Sequence, residues 1–176
     1  MDNLAHTRHE AASIVVSTLE NHWPEALDKI KVEWNPRLTS TAGRAWRRTH
    51  NIELATKILP YVGTKGLKRT VVHELAHLFV WHKWGHKASA HGREWKGTTL
   101  AWGADPSRTH KYFEIPAVCV ALGRTVASCS VCGRKVGVSK RTASRIKYRR
   151  CNNLCGATLR VMSPSEDSEW KRNQDG

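Results

Sequence analysis

The sequence contains an H-E-x-x-H motif, His73-Glu74-Leu75-Ala76-His77. In a helix, residues four positions apart lie on one face about one turn apart, so the two imidazoles can bind one zinc ion through neutral nitrogens. Glu74 lies on the neighbouring side, where it can accept a proton from a water at the zinc and pass it to a leaving amine. The motif therefore indicates a zinc hydrolase with Glu74 as its base, although five such residues can also occur by chance in a buried helix.

A catalytic zinc site takes three protein ligands and keeps one position open, so the chain must supply a third ligand. We favour His91, which stands before Gly92 at the expected start of the next helix. Glu94 is the alternative, because some H-E-x-x-H enzymes take a glutamate from a following helix. Three further histidines have no spacing that argues for a ligand role: His82, His86 and His110.

Hydrophobic periodicity predicts the helices that position these side chains. The segment Leu67–Trp84 carries a broad apolar stripe after two chain-breaking glycines, Gly63 and Gly66, and it contains the motif. A second helix is expected from about His91 to Gly103. Residues 7–21 have the same helical spacing and predict a first, amphipathic helix.

Alternating residues predict a small sheet before the motif. Residues 30–34 and the segment around 51–55 alternate between apolar and polar side chains, and Gly43 is expected in a turn between strands. We therefore predict an α+β fold with helices packed on a small antiparallel sheet.

Four of the five cysteines form two pairs with metal-binding spacing, C-x2-C and C-x3-C. Four thiolates would close a tetrahedral zinc shell with no open position, so such a site would be structural. Free thiols or a redox pair remain the alternatives. The paired residues are Cys129, Cys132, Cys151 and Cys155. Cys119 lies in an apolar segment and is expected to be a small buried residue.

Positive charge is concentrated in the C-terminal third. The chain has 29 basic and 15 acidic residues, and no acidic residue occurs from Ile115 to Ser165. A basic block of this kind favours binding to a polyanion, because neutralised phosphates release counterions; a merely solvated basic face is the alternative. Tyr148, within the block, could stack on a base or simply pack. The basic residues between the cysteine pairs are Arg134, Lys135, Lys140, Arg141, Arg145, Lys147, Arg149 and Arg150.

The start of the chain has no apolar stretch behind a basic segment, and no apolar run reaches the roughly 18 residues of a membrane span. We expect a monomeric protein of the cytoplasm or nucleoid, neither secreted nor membrane-bound.

Several motifs in order and spacing resemble the SprT-like family, which includes the Spartan proteases. They are His73-Glu74-Leu75-Ala76-His77, His91-Gly92-Arg93-Glu94-Trp95, Gly103-Ala104-Asp105-Pro106 and the paired cysteines, with Leu38 to Gly43 similar to the family's R-L-x-x-x-A-G segment. The resemblance runs from about Val32 to about Leu159. It implies a zincin-type fold, zinc held by His73, His77 and His91, Glu74 as the general base, and activity on proteins attached to DNA.

These observations predict a zincin-like metallopeptidase domain over residues 1–118, a basic zinc ribbon over 119–162 and a flexible tail over 163–176. The predicted function is a metalloendopeptidase with one catalytic and one structural zinc ion, which binds DNA and cleaves proteins crosslinked to or associated with it. Two alternatives stay open: a non-catalytic nucleic-acid-binding protein with two structural metals, and a peptidase that acts on a free regulatory protein without DNA.

Overall fold

The computed structural model describes residues 3–151 and 155–172, apart from the side chain of Tyr148. The chain divides into two compact units, Met1–His110 and Lys111–Gly176. Both combine helices with a small sheet, so the predicted α+β class is confirmed. The division falls before the expected boundary at residue 118, because the helix Pro116–Ala121 packs within the second unit.

Over residues 3–110, the first unit has three α-helices, which are α1 (Asn3–His22), α2 (Gly63–Trp84) and α3 (Arg93–Ala101). The helix α2 begins before the predicted start at Leu67, so Gly63 and Gly66 lie inside it. A glycine in a helix costs only about 1 kcal/mol relative to alanine, which the burial of apolar residues along α2 outweighs. At the other end, Gly85 closes α2 with a positive φ of 58°, a conformation that side chains other than glycine disfavour.

The first sheet contains β1 (Lys31–Asn35), β2 (Gly43–Trp46) and β3 (Asn51–Ala55), in the order β1-β3-β2. The expected antiparallel arrangement holds for β2 and β3, whereas β1 pairs with β3 in parallel. The chain reverses direction between β1 and β2 and again between β2 and β3. The strand β3 therefore runs in the direction of β1, and it lies between β1 and β2. Gly43 begins β2 and does not lie in a turn.

The helix α2 packs against β2 and β3 and is held there by a fully buried apolar core. Ile52 and Leu54 of β3 and Val71 and Leu75 of α2 are each 0% exposed. Burial of one such side chain contributes roughly 1.5–3 kcal/mol, so this layer fixes the position of α2 relative to the sheet.

In the described residues of the second unit, three α-helices accompany a three-stranded sheet. The helices are α4 (Pro116–Ala121), α5 (Lys140–Ala143) and α6 (Pro164–Arg172), and the strands are β4 (Thr125–Cys129), β5 (Lys135–Val138) and β6 (Leu159–Val161). The strand β4 lies in the middle and pairs antiparallel with β5 and β6. Its core includes Ala127, Val138, Ile146 and Leu159.

The expected tail over 163–176 is helical where it is described. The Ser163 hydroxyl accepts a hydrogen bond from the Glu166 N–H, and the Glu166 carboxylate accepts one from the Ser163 N–H. This reciprocal pair is a capping box, with Pro164 in the first helical position, and it stabilises the start of α6. Residues 173–176 lie outside the described residues.

Candidate metal centre and basic surface

Four residues of α2 follow one another at intervals of four and form one stripe along the helix: Arg69, His73, His77 and Trp81. His73 and His77 are half-buried, and their ring centroids are 4.9 Å apart. The H-E-x-x-H motif is therefore helical, as predicted, and its two imidazoles lie together.

His91 approaches these two rings from the segment that precedes α3. Its Nε2 atom lies 3.2 Å from the Nε2 atom of His73, and one ring nitrogen of each of the three histidines lies within 4.8 Å of the others. Two nitrogens bound to one zinc ion at about 2.05 Å in tetrahedral geometry would be about 3.3 Å apart. The observed spacing fits a zinc ion held by His73, His77 and His91.

Burial keeps these rings in the form that binds metals. Burial, followed by the charges of His91, Arg69 and His110, lowers the pKa of His73 to about 4. Burial, together with the charge of His73, lowers the pKa of His77 to about 3. Burial, followed by the charge of Arg108, also lowers the pKa of His91. Neutral imidazoles carry a free nitrogen lone pair, so at neutral pH a zinc ion meets little competition from protons.

Trp95 of α3 supports all three rings. It is 0% exposed, and its ring centroid lies 4.6 Å from His73, 4.7 Å from His91 and 5.5 Å from His77. Its indole N–H donates to the backbone carbonyl of His73 at 3.3 Å. The contacts of this buried ring with all three imidazoles restrict their orientation.

Glu74 is held between α2 and the strand β2. It is 7% exposed, and its carboxylate accepts a hydrogen bond from the backbone N–H of Ala45. Burial raises the pKa of Glu74 to about 8, although the Ala45 N–H and the charge of Arg44 oppose the shift. A carboxyl group with a pKa near the operating pH can both accept and release a proton.

Gly43 leaves the space that the Glu74 side chain occupies. A Cβ atom on Gly43 would lie 2.8 Å from Cγ and 2.9 Å from Oε1 of Glu74. Real Cβ contacts are longer, so any side chain here would displace the carboxyl group. The A-G pair that ends the segment Leu38–Gly43 was the sequence signal for this contact, and its role was not recognised.

The other candidate ligands lie apart from the cluster. The Glu94 carboxylate lies 3.8 Å from the Arg93 guanidinium and lines a groove between α2 and α3. The His82 ring is exposed and lies against Trp23, and the His86 ring lies against Trp81. Among the residues that the structure describes, the histidine cluster comprises only His73, His77 and His91.

A second cluster brings together Cys129, Cys132, Cys151 and Cys155. Three of the sulfur-to-sulfur distances are 3.6 Å. Tetrahedral zinc with Zn–S bonds of about 2.3 Å would set its sulfurs about 3.8 Å apart, so the spacing fits a closed four-cysteine site. Cys119 is buried outside this cluster, as expected, and its thiol donates to the carbonyl of Phe113.

The eight basic residues between the cysteine pairs differ in their surroundings. Arg134 donates two hydrogen bonds to Glu114 and is half-buried, so it serves an internal ion pair. Lys135 is half-buried. The side chain of Tyr148, considered for base stacking, lies outside the described part. The remaining six are exposed: Lys140, Arg141, Arg145, Lys147, Arg149 and Arg150.

A sequence model of the SprT-like family matches residues 12–113, more than half of the chain. The chain belongs to the SprT-like family. Protein SprT of Salmonella arizonae is 37% identical over 100 residues, which cover 57% of this chain and 57% of that protein. Protein SprT of Salmonella newport is 38% identical over 95 residues, 53% of this chain and 54% of the relative. The chain therefore matches little more than half the length of these relatives.

In this SprT-like chain the family match contains the three clustered histidines and Glu74, whereas the four cysteines follow it. The family that the sequence resembled is thereby confirmed by a match over residues 12–113, which ends before the paired cysteines. Within residues 3–151 and 155–172, no helix has both the length and the apolar character that a bilayer span requires.

Proposed function

We propose that this SprT-like chain is a zinc-dependent metalloendopeptidase that acts on proteins associated with or crosslinked to DNA. The observation that supports it most is that three clustered imidazoles are accompanied in the same motif by Glu74, whose carboxyl group is buried and has a raised pKa. A purely structural zinc site has no chemical use for such a group.

The residues of the chain have separate roles in this proposal. A zinc ion bound by His73, His77 and His91 would polarise a peptide carbonyl and lower the pKa of the attacking water. Glu74 accepts a proton from that water as its oxygen bonds to the carbonyl carbon. When the carbon–nitrogen bond breaks, Glu74 delivers the proton to the leaving nitrogen, so the reaction consumes one water and leaves Glu74 unchanged.

The second unit would bring the protease to DNA. Six exposed basic side chains are carried by the segment between the two cysteine pairs, and the four-cysteine site ties the ends of this segment together. Lys and Arg side chains of this kind bind phosphates in a sequence-independent manner that weakens with salt.

The decisive experiment compares the wild-type protein with Glu74→Gln on a DNA-binding protein substrate, without DNA, with single-stranded DNA and with duplex DNA. Cleavage that needs both Glu74 and DNA supports the proposal. Cleavage that needs Glu74 and ignores DNA favours a peptidase with a free protein target. Two bound zinc ions and tight DNA binding without cleavage would favour a non-catalytic binding protein.

A further inference from the structure

One face of the second sheet carries a row of polar side chains that crosses its three strands. Ser128 of β4 pairs in register with Lys135 of β5 on one side and with Arg160 of β6 on the other. Side chains of paired residues lie on the same face of a sheet. The neighbours of Ser128 in β4, Ala127 and Cys129, belong to the core on the opposite face. This basic row, made of Lys135, Ser128 and Arg160, therefore faces away from that core.

The helix α6 covers the basic row with acidic side chains. The Arg160 guanidinium donates two hydrogen bonds, of 2.8 Å and 3.1 Å, to the two oxygens of the Glu166 carboxylate. Glu166, Glu169 and Trp170 of α6 line a cavity of about 510 Å³ together with the three residues of the row. Among the described residues, Lys135 has no ion-pair partner. One cation of the row is thus paired with α6, and the other faces the cavity.

The helix α6 is only loosely attached to the rest of the second unit. It lies against α4, but none of its nine residues, Pro164–Arg172, is buried. Its polar attachments are the partly exposed Glu166–Arg160 ion pair and a hydrogen bond from Lys171 Nζ to the carbonyl of Arg124. Exposed ion pairs contribute little to stability, and a helix this short is marginal without a packed apolar face. The helix can therefore leave the sheet at a low cost in free energy.

A phosphodiester matches the chemistry of the row. A guanidinium that binds a carboxylate through two parallel hydrogen bonds can bind two oxygens of a phosphate in the same way. Lys135 would add a second cation and Ser128 a hydroxyl donor. No acidic residue occurs from Ile115 to Ser165, so the carboxylates that cover the row come from α6. The same unit carries the six exposed basic side chains proposed above to bind DNA.

We propose that the basic row is a second binding site for the phosphates of nucleic acid, and that α6 closes this site until nucleic acid displaces the helix. The inference rests on the proposed binding of DNA by the second unit. In the closed state the Glu166 carboxylate occupies the position of a phosphate on Arg160. In the open state a phosphodiester replaces it, and α6 is released from the sheet. No covalent bond changes in this exchange.

The first test measures the affinity of purified full-length zinc-loaded protein for a labelled oligonucleotide, single-stranded and duplex in turn, by fluorescence anisotropy at several salt concentrations. Glu166→Gln should bind up to about five-fold more tightly, because the competing ion pair is lost while glutamine keeps the capping box. Arg160→Gln should bind more weakly and reduce the slope of log K against log salt by about 0.7–0.9. Glu169→Gln is the matched control, because it removes the same charge from the same helix without breaking an ion pair, and it should change the affinity much less.

Combined variants separate the opening of the site from general electrostatics. In the Arg160→Gln background, Glu166→Gln should give almost no gain in affinity, because the two side chains act through each other. Equal gains in both backgrounds, or equal gains from Glu166→Gln and Glu169→Gln, would overturn the proposal.

Hydrogen exchange tests the displacement in the wild-type protein, without any substitution. The amides of residues 166–172 should exchange faster when the oligonucleotide is saturating, because the released helix loses its support and unfolds. Unchanged or slower exchange would contradict displacement of α6.

The same measurements distinguish failure of this inference from failure of the proposed function. If the wild type and Glu166→Gln bind neither oligonucleotide, DNA binding by the second unit fails, and the role of the basic row falls with it. If the wild type binds DNA and Arg160→Gln equals it in affinity and salt slope, only the second site fails.

Discussion

The backbone N–H of Ala45 donates a hydrogen bond to the carboxylate of Glu74, and this contact joins the strand β2 to the helix α2 that carries the H-E-x-x-H motif. The carboxyl group of Glu74 therefore depends on the sheet for its position as well as on its own helix. A change in β2 can displace this proposed general base without touching the histidines.

Gly43→Ala tests this dependence. The new methyl group would lie 2.8 Å from Glu74 Cγ, so the side chain must move. We expect at least a 10-fold loss of peptidase activity, a destabilisation of about 1–3 kcal/mol, and an unchanged zinc content. Activity and unfolding are measured together.

Gly97→Ala is the matched control, because a Cβ atom on Gly97 of α3 meets nothing within 4 Å. This change should keep full activity and raise stability by about 0.5–1 kcal/mol. Equal activity of the two variants would remove Gly43 from its proposed role.

Glu74→Gln should stabilise the metal-free protein at high pH. The pKa of Glu74 is about 8 in the folded protein and ordinarily 4.5, so between these values the folded state keeps a proton that the unfolded chain releases. The unfolding free energy of the wild type should therefore fall as the pH rises through this window, whereas glutamine has no proton to release. We expect Glu74→Gln to be more stable by about 1–3 kcal/mol at pH 8, and by much less at pH 5.

Urea unfolding of chelator-treated protein checks this prediction through tryptophan fluorescence. Seven of the eight tryptophans lie in the first unit, so the signal reports on the unit that contains Glu74. The histidine titrations are shared by both proteins and cancel in the difference. A difference that is independent of pH would contradict a raised pKa.

Charge reversal at Arg141, Arg145 and Arg149 should weaken DNA binding and flatten its dependence on salt. Each lost phosphate contact reduces the slope of log K against log salt by about 0.7–0.9. Fluorescence anisotropy at several salt concentrations measures both quantities. The same charge change at three exposed lysines of the first unit, Lys29, Lys57 and Lys96, serves as the control. Equal effects from the two sets would indicate general electrostatic attraction and no specific role for the ribbon.

Cys132→Ser should remove one ligand from the four-cysteine site and lower the zinc content from two ions to one. The core of the second unit includes Cys129 and Cys151, so we expect this unit to lose its fold and become sensitive to proteolysis. Elemental analysis and limited proteolysis provide the readouts. Cys119→Ala, which changes a cysteine outside the cluster, should keep both ions; retention of two ions by Cys132→Ser would rule out the four-cysteine site.

The sequence predicted the parts of the site that depend on local spacing. His73 and His77 follow from the four-residue period of a helix, and the paired cysteines follow from short loops that return the chain to one metal. The choice of His91 over Glu94 rested on chain order and resemblance, and the clustering of nitrogens agrees with it.

The features that the sequence did not predict depend mainly on packing between residues far apart in the chain. The contact between Gly43 and Glu74 joins a strand to a helix, and no periodicity within either element reports it. The parallel pairing of β1 and β3 likewise depends on a third strand that was not recognised. The start of α6 was predictable, because Ser163 and Glu166 have the spacing of a capping box, but the polar composition of the segment suggested a tail.

The position of His91 outside α2 gives a bound metal an effect on backbone motion. A zinc ion shared by His77 and His91 would link α2 to the segment before α3 and restrain the loop through Gly85 in the folded protein. Because the ion binds the folded chain and leaves the unfolded one, it stabilises this arrangement by mass action, by about 2.7 kcal/mol at a free zinc concentration 100 times its Kd. Amide hydrogens of residues 85–92 should therefore exchange with solvent much more slowly in the zinc-loaded protein, so that the ion proposed for hydrolysis also rigidifies the approach to its own site.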